Sequence, residues 1–400
     1  MIKIAWRNIL RNKRRSLLIL GIIIFGVMVL FLVKGYFAAT YDGLKMMSIS
    51  RNGHLQIAPE GFWGNTGQER LLLTGEYHKA ITGVLESVDD VNNFTSELKV
   101  SGILGTEKGS TIVSGTGIEP GNSFNQSVMI EEGFNLFPGD RTRVLLGKGV
   151  MEKLNLSVDD WFSLMATTLD GAYSASSLKV SGSFSTYSAE ADNYFIMMPL
   201  SFAQNLLNTD GVDKVIVSLE DTGKTEEVKT RLEEKFEEMG LKVDIKTWLD
   251  LATMYHQVKA MYDLIFFFLS TIIFILVFFS ILEIMSMAFF ERMNEIGTIR
   301  AIGTRRRQVF TLLLQEALIL GIIGGIIGLT LGWGIGYALN NAYITYTPPN
   351  VSEPVPLYFK LAFSNGVTPF IIILVSTTLS ALYPALKASR INVVEMLRYS

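Results

Sequence analysis

The sequence of 400 residues contains no cysteine and three histidines. Without cysteine, the chain has no disulfide, no thiolate nucleophile and no thiolate metal site. The histidines, His54, His78 and His256, are too few and too scattered along the chain to indicate a zinc centre or a catalytic triad. We therefore predict neither a catalytic nor a metal site.

Charged residues are also scarce, at 18% of the chain against 49% hydrophobic residues. The formal net charge is -3, which excludes a broadly basic nucleic-acid-binding protein, and we predict no nucleic-acid partner. The mean hydropathy of +0.33 is too high for an ordinary soluble protein. The composition indicates that the chain interacts with a lipid bilayer.

Four uncharged runs cover residues 17–33, 264–282, 317–339 and 367–386. A bilayer core about 30 Å thick needs roughly 20 apolar residues in a helix. We therefore predict an integral membrane α-helical protein with four transmembrane helices and a large extracytoplasmic α+β domain on a helical stalk. The predicted order is a basic cytoplasmic segment (1–16), TM1 (17–39), a two-lobed extracytoplasmic α+β domain with stalk helices (40–263), TM2 (264–288), a cytoplasmic helix and loop (289–308), TM3 (309–339), an extracytoplasmic loop (340–366), TM4 (367–388) and a cytoplasmic tail (389–400).

The distribution of charge supports this topology. The first 16 residues carry six basic side chains and no acid, which by the positive-inside rule holds the N-terminus in the cytoplasm. The cytoplasmic sides of the four uncharged runs (residues 1–16, 284–308 and 387–400, with Glu283 at the end of a span left out) carry 14 basic and 3 acidic residues. Residues 40–263 carry 19 basic and 32 acidic residues. We predict that both termini are cytoplasmic and that the first run is a retained anchor, since no clear signal cleavage site follows it.

The segment 40–263 has short alternating apolar runs, which predict strands at 53–58, 144–147, 178–184, 194–198, 214–219 and 242–245. Apolar residues at helical spacing predict a helix over 225–239. Residues 60–140 are rich in Gly, Asn and Ser and are expected to form a less regular second lobe. Residues 36–49 and 248–263 read as helices that continue the spans as a stalk, with the second running unbroken from Trp248; the alternative is that they lie flat on the membrane.

One short motif resembles a phosphate-binding loop. Gly223, Lys224 and Thr225 follow a strand and open a helix, but Ser218 stands where the motif requires its first glycine. We interpret the motif as a turn and helix cap, so we predict that the chain has no nucleotide site of its own.

The third run contains Gly324, Gly328, Gly332 and Gly336, with Gly321 and Gly325 beside them. Small residues on one stripe allow close approach of a neighbouring helix in a membrane. The pattern predicts tight helix packing and leaves open whether the partner helix belongs to the same chain or to a second copy. Glu283 and Glu316 lie near the cytoplasmic ends of their helices, and no second charge in the sequence indicates a buried partner for either. We expect both to reach the membrane surface, and the alternative is that they mark a proton or ion path.

The loop after the second run has apolar Met293, Ile296, Ile299 and Ile302 at every third position between charged residues, which predicts a short amphipathic helix. Such a helix can lie on lipid headgroups or bind in a groove of another protein. The charges that would fix it in such a groove are Glu291, Glu295 and Arg300.

At this loop the sequence resembles the permease subunits of ATP-binding-cassette (ABC) transporters of the FtsX/MacB/LolC-LolE type. The shared motif consists of Glu291, Arg292, Glu295, Ile296, Gly297, Arg300, Ala301 and Gly303. Residues 5–16, 146–156, 315–317 and 384–398 also look like that family, so the resemblance covers essentially the whole chain.

The resemblance implies a permease of the bacterial inner membrane that works as a pair, with a second copy or a paralogue. A separate cytosolic ATPase, which binds ATP and Mg²⁺, is expected to dock on the eight motif residues. The permease itself then holds no cofactor and is not an enzyme. Such permeases are thought to relay motion to a periplasmic domain without carrying substrate between their membrane helices.

Within the family, residues 53–57, 180–184 and 190–192 are most similar to the lipoprotein-releasing LolC/LolE branch, which implies lipoprotein release and a lipoprotein or periplasmic carrier as partner. The stretch 166–177 is short and lacks the Pro-containing hook by which those permeases recruit the carrier. MacB-like export of periplasmic peptides or small molecules through an outer-membrane duct is the second hypothesis. FtsX-like regulation of a cell-wall hydrolase is the third.

Overall fold

The computed structural model describes residues 2–65, 70–122, 128–186, 189–347 and 354–398. The helices are α1 (Ile2–Arg11), α2 (Lys13–Asn52), α3 (Gly75–Glu86), α4 (Lys148–Leu154), α5 (Ala189–Asp192), α6 (Leu200–Leu207), α7 (Thr225–Glu238), α8 (Trp248–Leu251), α9 (Thr253–Glu291), α10 (Met293–Ala301), α11 (Arg306–Asn341), α12 (Phe363–Arg390) and α13 (Val393–Arg398). The strands are β1 (Leu55–Pro59), β2 (Val91–Thr106), β3 (Gly109–Ile118), β4 (Met129–Gly133), β5 (Arg143–Gly147), β6 (Trp161–Thr167), β7 (Tyr173–Ser185), β8 (Phe195–Pro199), β9 (Lys214–Leu219), β10 (Val243–Thr247), β11 (Thr345–Tyr346) and β12 (Val355–Pro356).

The chain divides into two compact units. The membrane unit comprises Met1–Gly43, His256–Thr345 and Pro356–Ser400, and the outer unit comprises Leu44–Tyr255 with Tyr346–Val355. Four helices, α2, α9, α11 and α12, are long and apolar enough to cross a membrane, and each contains one of the four predicted runs. The prediction of four membrane helices is confirmed.

The glycine stripe of α11 packs against α2 of the same chain. A Cβ atom added at Gly328 would lie 2.9 Å from the carbonyl oxygen of Ile24. A Cβ atom added at Gly324 would lie 2.7 Å from the side chain of Ile23. One added at Gly332 would lie 2.9 Å from the side chain of Phe31. The stripe is completed by Gly336 against Leu361 and Leu32, while Gly321 and Gly325 meet Leu374 and Phe370 of α12. The partner helix that the sequence left open is therefore α2.

The outer unit is built on a sheet with strand order β10-β1-β9-β2-β3-β8-β5-β7-β4, to which β6 adds by pairing with β2 and β7. All six predicted strands and the helix at 225–239 are present. Leu98, Val100, Val215 and Val217 are among the residues that fill the core on one face of the sheet.

The expectation of irregular structure over 60–140 was wrong. This stretch contains α3, the 16-residue β2 and the 10-residue β3. Strand β2 pairs with β9 through its first half and with β3 and β6 through its second half. It can carry Asn and Ser in the half that pairs with β9, and Gly in the half that lies between β3 and β6, because ladder hydrogen bonds stabilise its backbone. The side-chain pattern alone conceals this strand.

The expectation of an unbroken helix from Trp248 was also wrong. Helix α8 begins with a capping box of Thr247 and Asp250 and ends at Leu251. The next residue, Ala252, has φ of -82° and ψ of 58°, which are not helical. The next helix, α9, begins at Thr253. Trp248 and Ala252 are both buried, which fixes this turn in the outer unit. By contrast, α2 is continuous from Lys13 to Asn52, as predicted.

We predict that Gly328→Ala destabilises the chain and that Gly334→Ala does not. The added methyl group at position 328 meets backbone, and overpacking of this kind costs about 1 to 3 kcal/mol. Gly334 lies on the same helix with nothing within 4 Å of the added atom, so the better helix propensity of alanine is the main effect there. Thermal unfolding of both variants in mild detergent measures the difference, and equal stabilities would contradict the close approach of α11 to α2.

Candidate functional site

The candidate site is the short helix α10 that follows the second span. The chain leaves α9 at Glu291, turns at Arg292 and enters α10 at Met293. Gly303, with φ of +113°, ends the following turn in a conformation that other residues rarely adopt. Helix α11 then begins after Arg305, whose backbone N–H donates to Gln308 Oε1 at 2.8 Å. Because a single residue separates α9 from α10, displacement of α10 acts directly on α9.

Only part of the predicted apolar stripe of α10 is buried. Met293 and Ile296 pack in a cluster with residues of α9, α11, α12 and α13, namely Phe289, Val309, Leu313, Ala385, Ala388 and Met396. Ile299 is 48% exposed and Ile302 is 83% exposed. The helix and its C-cap residue therefore present an apolar surface, Ile299 with Ile302, which we call the α10 knob.

The acidic residues of the motif pair with the N-terminal segment. Glu295 forms a salt bridge with Arg11 of α1, and Glu291 forms one with Arg15 at the start of α2. From the sequence, the basic N-terminal residues were used only to predict the topology. Their pairing with Glu291 and Glu295 was not predicted. The two salt bridges thus hold α10 against α1 and the end of α9 against the start of α2.

A buried charge lies between α1, α10 and α11. Glu316 is 7% exposed and accepts a hydrogen bond from Asn8 Nδ2 at 2.7 Å. Arg292 Nη1 lies 3.6 Å from Glu316 Oε2. The expectation that Glu316 reaches the surface without a buried partner was wrong, because the turn at Arg292 folds the guanidinium back onto α11. Glu283 is exposed.

Arg300 ties the other end of α10 to the C-terminal helix. Its Nη1 donates to the carbonyl oxygen of Ile391 at 2.5 Å and lies 3.9 Å from Met396 Sδ. Burial and, to a smaller extent, the nearby positive charge of Arg306 lower the pKa of Arg300 from its usual value. Of the remaining motif residues, Gly297 is buried and Ala301 lies on the exposed side of the helix.

The phosphate-loop-like motif is a turn and helix start, as predicted. The side chain of Asp221 accepts from the backbone N–H of Gly223 at 2.8 Å, and Lys224 Nζ lies 2.7 Å from Asp90 Oδ1. Thr225 Oγ1 donates to the carbonyl oxygen of Thr222 at 2.8 Å. The backbone amide that would bind a phosphate thus already donates to the carboxylate of Asp221. The negative charge of this carboxylate also disfavours binding of an anionic ligand.

Two family models match the sequence. One is described as the MacB-like periplasmic core domain and matches residues 16–235; the other is described as the FtsX-like permease C-terminal and matches residues 267–393. No curated protein matched the sequence.

Two solved structures are similar to part of this chain. The periplasmic region of MacB from Actinobacillus actinomycetemcomitans is 14% identical with a TM-score of 0.39, and the match covers 52% of this chain and 94% of that one. The extracellular domain of the noncanonic ABC-type transporter YknZ from Gram-positive bacteria is 14% identical with a TM-score of 0.37, and the match covers 48% of this chain and 99% of that one.

We predict that Glu316→Ala destabilises the chain far more than Glu295→Ala. Removal of one partner from a buried ion pair leaves an uncompensated charge and costs about 3 to 5 kcal/mol. The side chains of Arg11 and Glu295 are 60% and 50% exposed, and exposed pairs contribute about 0.2 to 1 kcal/mol. Thermal unfolding in mild detergent compares the variants, and a larger loss for Glu295→Ala would contradict the burial of Glu316.

Proposed function

This chain belongs to the FtsX/MacB family of ABC-transporter permeases, and we propose that it couples ATP hydrolysis by a separate cytosolic ATPase to mechanical work outside the membrane. ATP and Mg²⁺ are bound by the ATPase in this proposal. Both termini and the α10 knob face the cytoplasm, and the outer unit faces the periplasm of a bacterial inner membrane. The four spans and the two matching family models support the proposal.

The length of α2 and α9 is the observation that carries the mechanism. Helices of 40 and 39 residues are about 60 Å long at about 1.5 Å per residue, twice the thickness of a bilayer core of about 30 Å. Where they leave the predicted spans they are braced, since Phe37 and Tyr262 stack with ring centroids 4.3 Å apart and Tyr41 donates to Asp263 at 3.0 Å. Two braced helices of this length can transmit displacement from α10 to the outer unit.

The α10 knob is the surface that we assign to the ATPase. The knob has two exposed isoleucines, and salt bridges hold its helix on the rest of the membrane unit. Burial of these isoleucines in an apolar groove of another protein is more favourable than their exposure to water. In this arrangement Glu291, Arg292, Glu295 and Arg300 position the knob, and Ile296 and Gly297 pack it onto the membrane unit. The glycines of α11 serve packing within the chain. In the most apolar stretch of α9, 11% of the residues are buried within this chain. This helix therefore offers a large apolar surface to a second permease subunit.

Lipoprotein release is the first activity we propose for this machinery, on the sequence similarity of residues 53–57, 180–184 and 190–192 to that branch. The β6–β7 connection favours a second candidate, MacB-like export. Thr168 N–H donates to the carbonyl oxygen of Ala172 at 2.8 Å, which closes a tight hairpin with no extended loop for a periplasmic carrier. Regulation of a cell-wall hydrolase ranks third.

Affinity purification of the chain in mild detergent separates these activities. Copurification of a lipoprotein or its carrier supports release, an outer-membrane duct supports export, and a hydrolase supports regulation.

We predict that Ile302→Glu and Ile299→Glu release the ATPase and abolish the ATPase activity of the complex. A charge placed at the centre of an apolar contact has no partner and is costly to desolvate. Ile112→Glu is the matched control, because Ile112 is a 76% exposed isoleucine of the outer unit. Copurification and ATP hydrolysis by the complex are measured, and an intact complex with Ile302→Glu would sink the assignment.

A charge swap tests how Glu295 acts. Glu295→Arg weakens ATPase binding if Glu295 positions the knob through Arg11, and the double variant Arg11→Glu with Glu295→Arg then restores it. If Glu295 contacts the ATPase itself, the swap does not restore binding.

ATP hydrolysis by the purified chain alone, at the rate of the complex, would contradict the proposed separate ATPase.

We predict that Gln257→Pro uncouples ATP hydrolysis from work outside while the ATPase stays bound. A proline inside a helix removes a hydrogen bond and adds a clash, at a cost of about 3 kcal/mol or more. Gln257 lies inside α9 and is exposed, so Gln257→Ala is a suitable control. Ala252 is unsuitable for this test, because α9 begins after it. Unchanged release or export by Gln257→Pro in proteoliposomes or cells would rule out the relay.

A further inference from the structure

The outer unit contains a groove on the face of the sheet opposite its core. The cavity has a volume of about 670 Å³ and lies over β9, β2, β3 and β8, with the last turns of α2 on one side. Its size is in the range of sites for small organic ligands. The register places the lining residues on one continuous face, since Thr95 pairs with Ile216, Glu97 with Lys214 and Lys99 with Thr116.

The charge of the groove is opposite to that of the segment around it. Three cationic side chains, Arg51, Lys99 and Lys214, line the cavity together with one carboxylate, Glu97. Lys214 Nζ is neutralised by Glu97 Oε2 at 3.2 Å and also donates to Gln56 Oε1 at 3.1 Å. Within the described ranges, Arg51 and Lys99 form no salt bridge. Residues 40–263 carry 32 acids against 19 bases, so a groove with two uncompensated cations stands out as a site for an anion.

A buried hydroxyl on the floor of the groove supports a ligand. Thr95 is 1% exposed, and its Oγ1 has no hydrogen-bond partner in the part of the chain that the structure describes. A buried polar atom without a partner costs free energy, so such an atom at a cavity wall is best explained by a ligand or water that completes its hydrogen bond. Ile216 and Met197 supply apolar wall beside it.

We propose that this groove binds an anionic amphiphile, whose carboxylate or phosphate pairs with Arg51 and Lys99 and whose apolar part lies along Ile216 and Met197. Charge-assisted hydrogen bonds hold the head group of the ligand. Burial of the apolar part of the ligand adds affinity. The groove requires neither ATP nor the ATPase to bind its ligand. The proposal therefore goes beyond the proposed function and can fail separately from it.

The test is calorimetric titration of the full chain in phosphatidylcholine nanodiscs, with empty nanodiscs as the blank. Decanoate and decyl phosphate are the probes, and decanol is the uncharged probe of equal chain length. Both anions are expected to bind saturably and decanol is not. Loss of one charge-assisted bond is expected to weaken binding about tenfold or more, so Lys99→Gln and Arg51→Gln should each show that loss. Lys79→Gln, at an exposed lysine of α3 outside the groove, should bind as the unchanged chain does.

Thr95→Val separates a ligand role from a structural one. Removal of a buried hydroxyl without a partner is expected to leave the melting temperature equal or higher, while binding of the anions weakens. Preference for decanoate indicates a fatty-acid-like ligand, preference for decyl phosphate indicates a phospholipid head group, and either supports the proposal. Binding of decanol as tight as that of the anions, or unchanged binding by Lys99→Gln and Arg51→Gln, would overturn it.

Discussion

The close approach of α11 to α2 is the contact on which the rest of the membrane unit depends. Because Gly324, Gly328 and Gly332 lack side chains, the backbones of the two helices meet directly. Lipid provides no hydrophobic drive for helix association, so this contact area supplies much of the packing energy. With α11 fixed on α2, Glu316 is held where Asn8 and Arg292 reach it, and this places α10. The glycine stripe therefore indirectly determines the geometry of the site at α10.

The site at α10 is anchored to four neighbouring elements. Arg11 and Arg15 attach α10 and the end of α9 to the N-terminal helices, the Glu316 cluster attaches the turn at Arg292 to α11, and Arg300 attaches α10 to the C-terminal helix. A helix held in this way cannot slide alone under a load on its exposed isoleucines. In the proposed relay, force applied to the knob passes to α9, which ends one residue before α10 begins, and α9 is long enough to carry the force beyond the bilayer.

Much of this architecture follows from the sequence, because each membrane helix is specified by its own length and apolar content. The strands at 144–147 and 214–219 were likewise readable from local alternation. The long strand β2 was not, since its polar residues are stabilised by partners far along the chain. The pairing of Glu316 with Arg292, and of Glu295 with Arg11, could not be read either, because residues separated by many positions meet only through the helix packing. The break at Ala252 was hidden for a similar reason: it depends on burial of Trp248 in the outer unit.

The relay along α2 and α9 is the central claim, and the absence of cysteine permits a direct measurement of it. Spin labels attached through Met46→Cys and Lys259→Cys, on the exposed ends of α2 and α9, report the distance between the two helices by pulsed electron resonance. The account predicts that trapping the ATPase with ATP and vanadate shifts this distance, while a label pair at Ile335→Cys and Val375→Cys on α11 and α12 stays unchanged. A stalk distance that is the same with and without trapped nucleotide, in a complex that hydrolyses ATP and performs its work, would contradict the account.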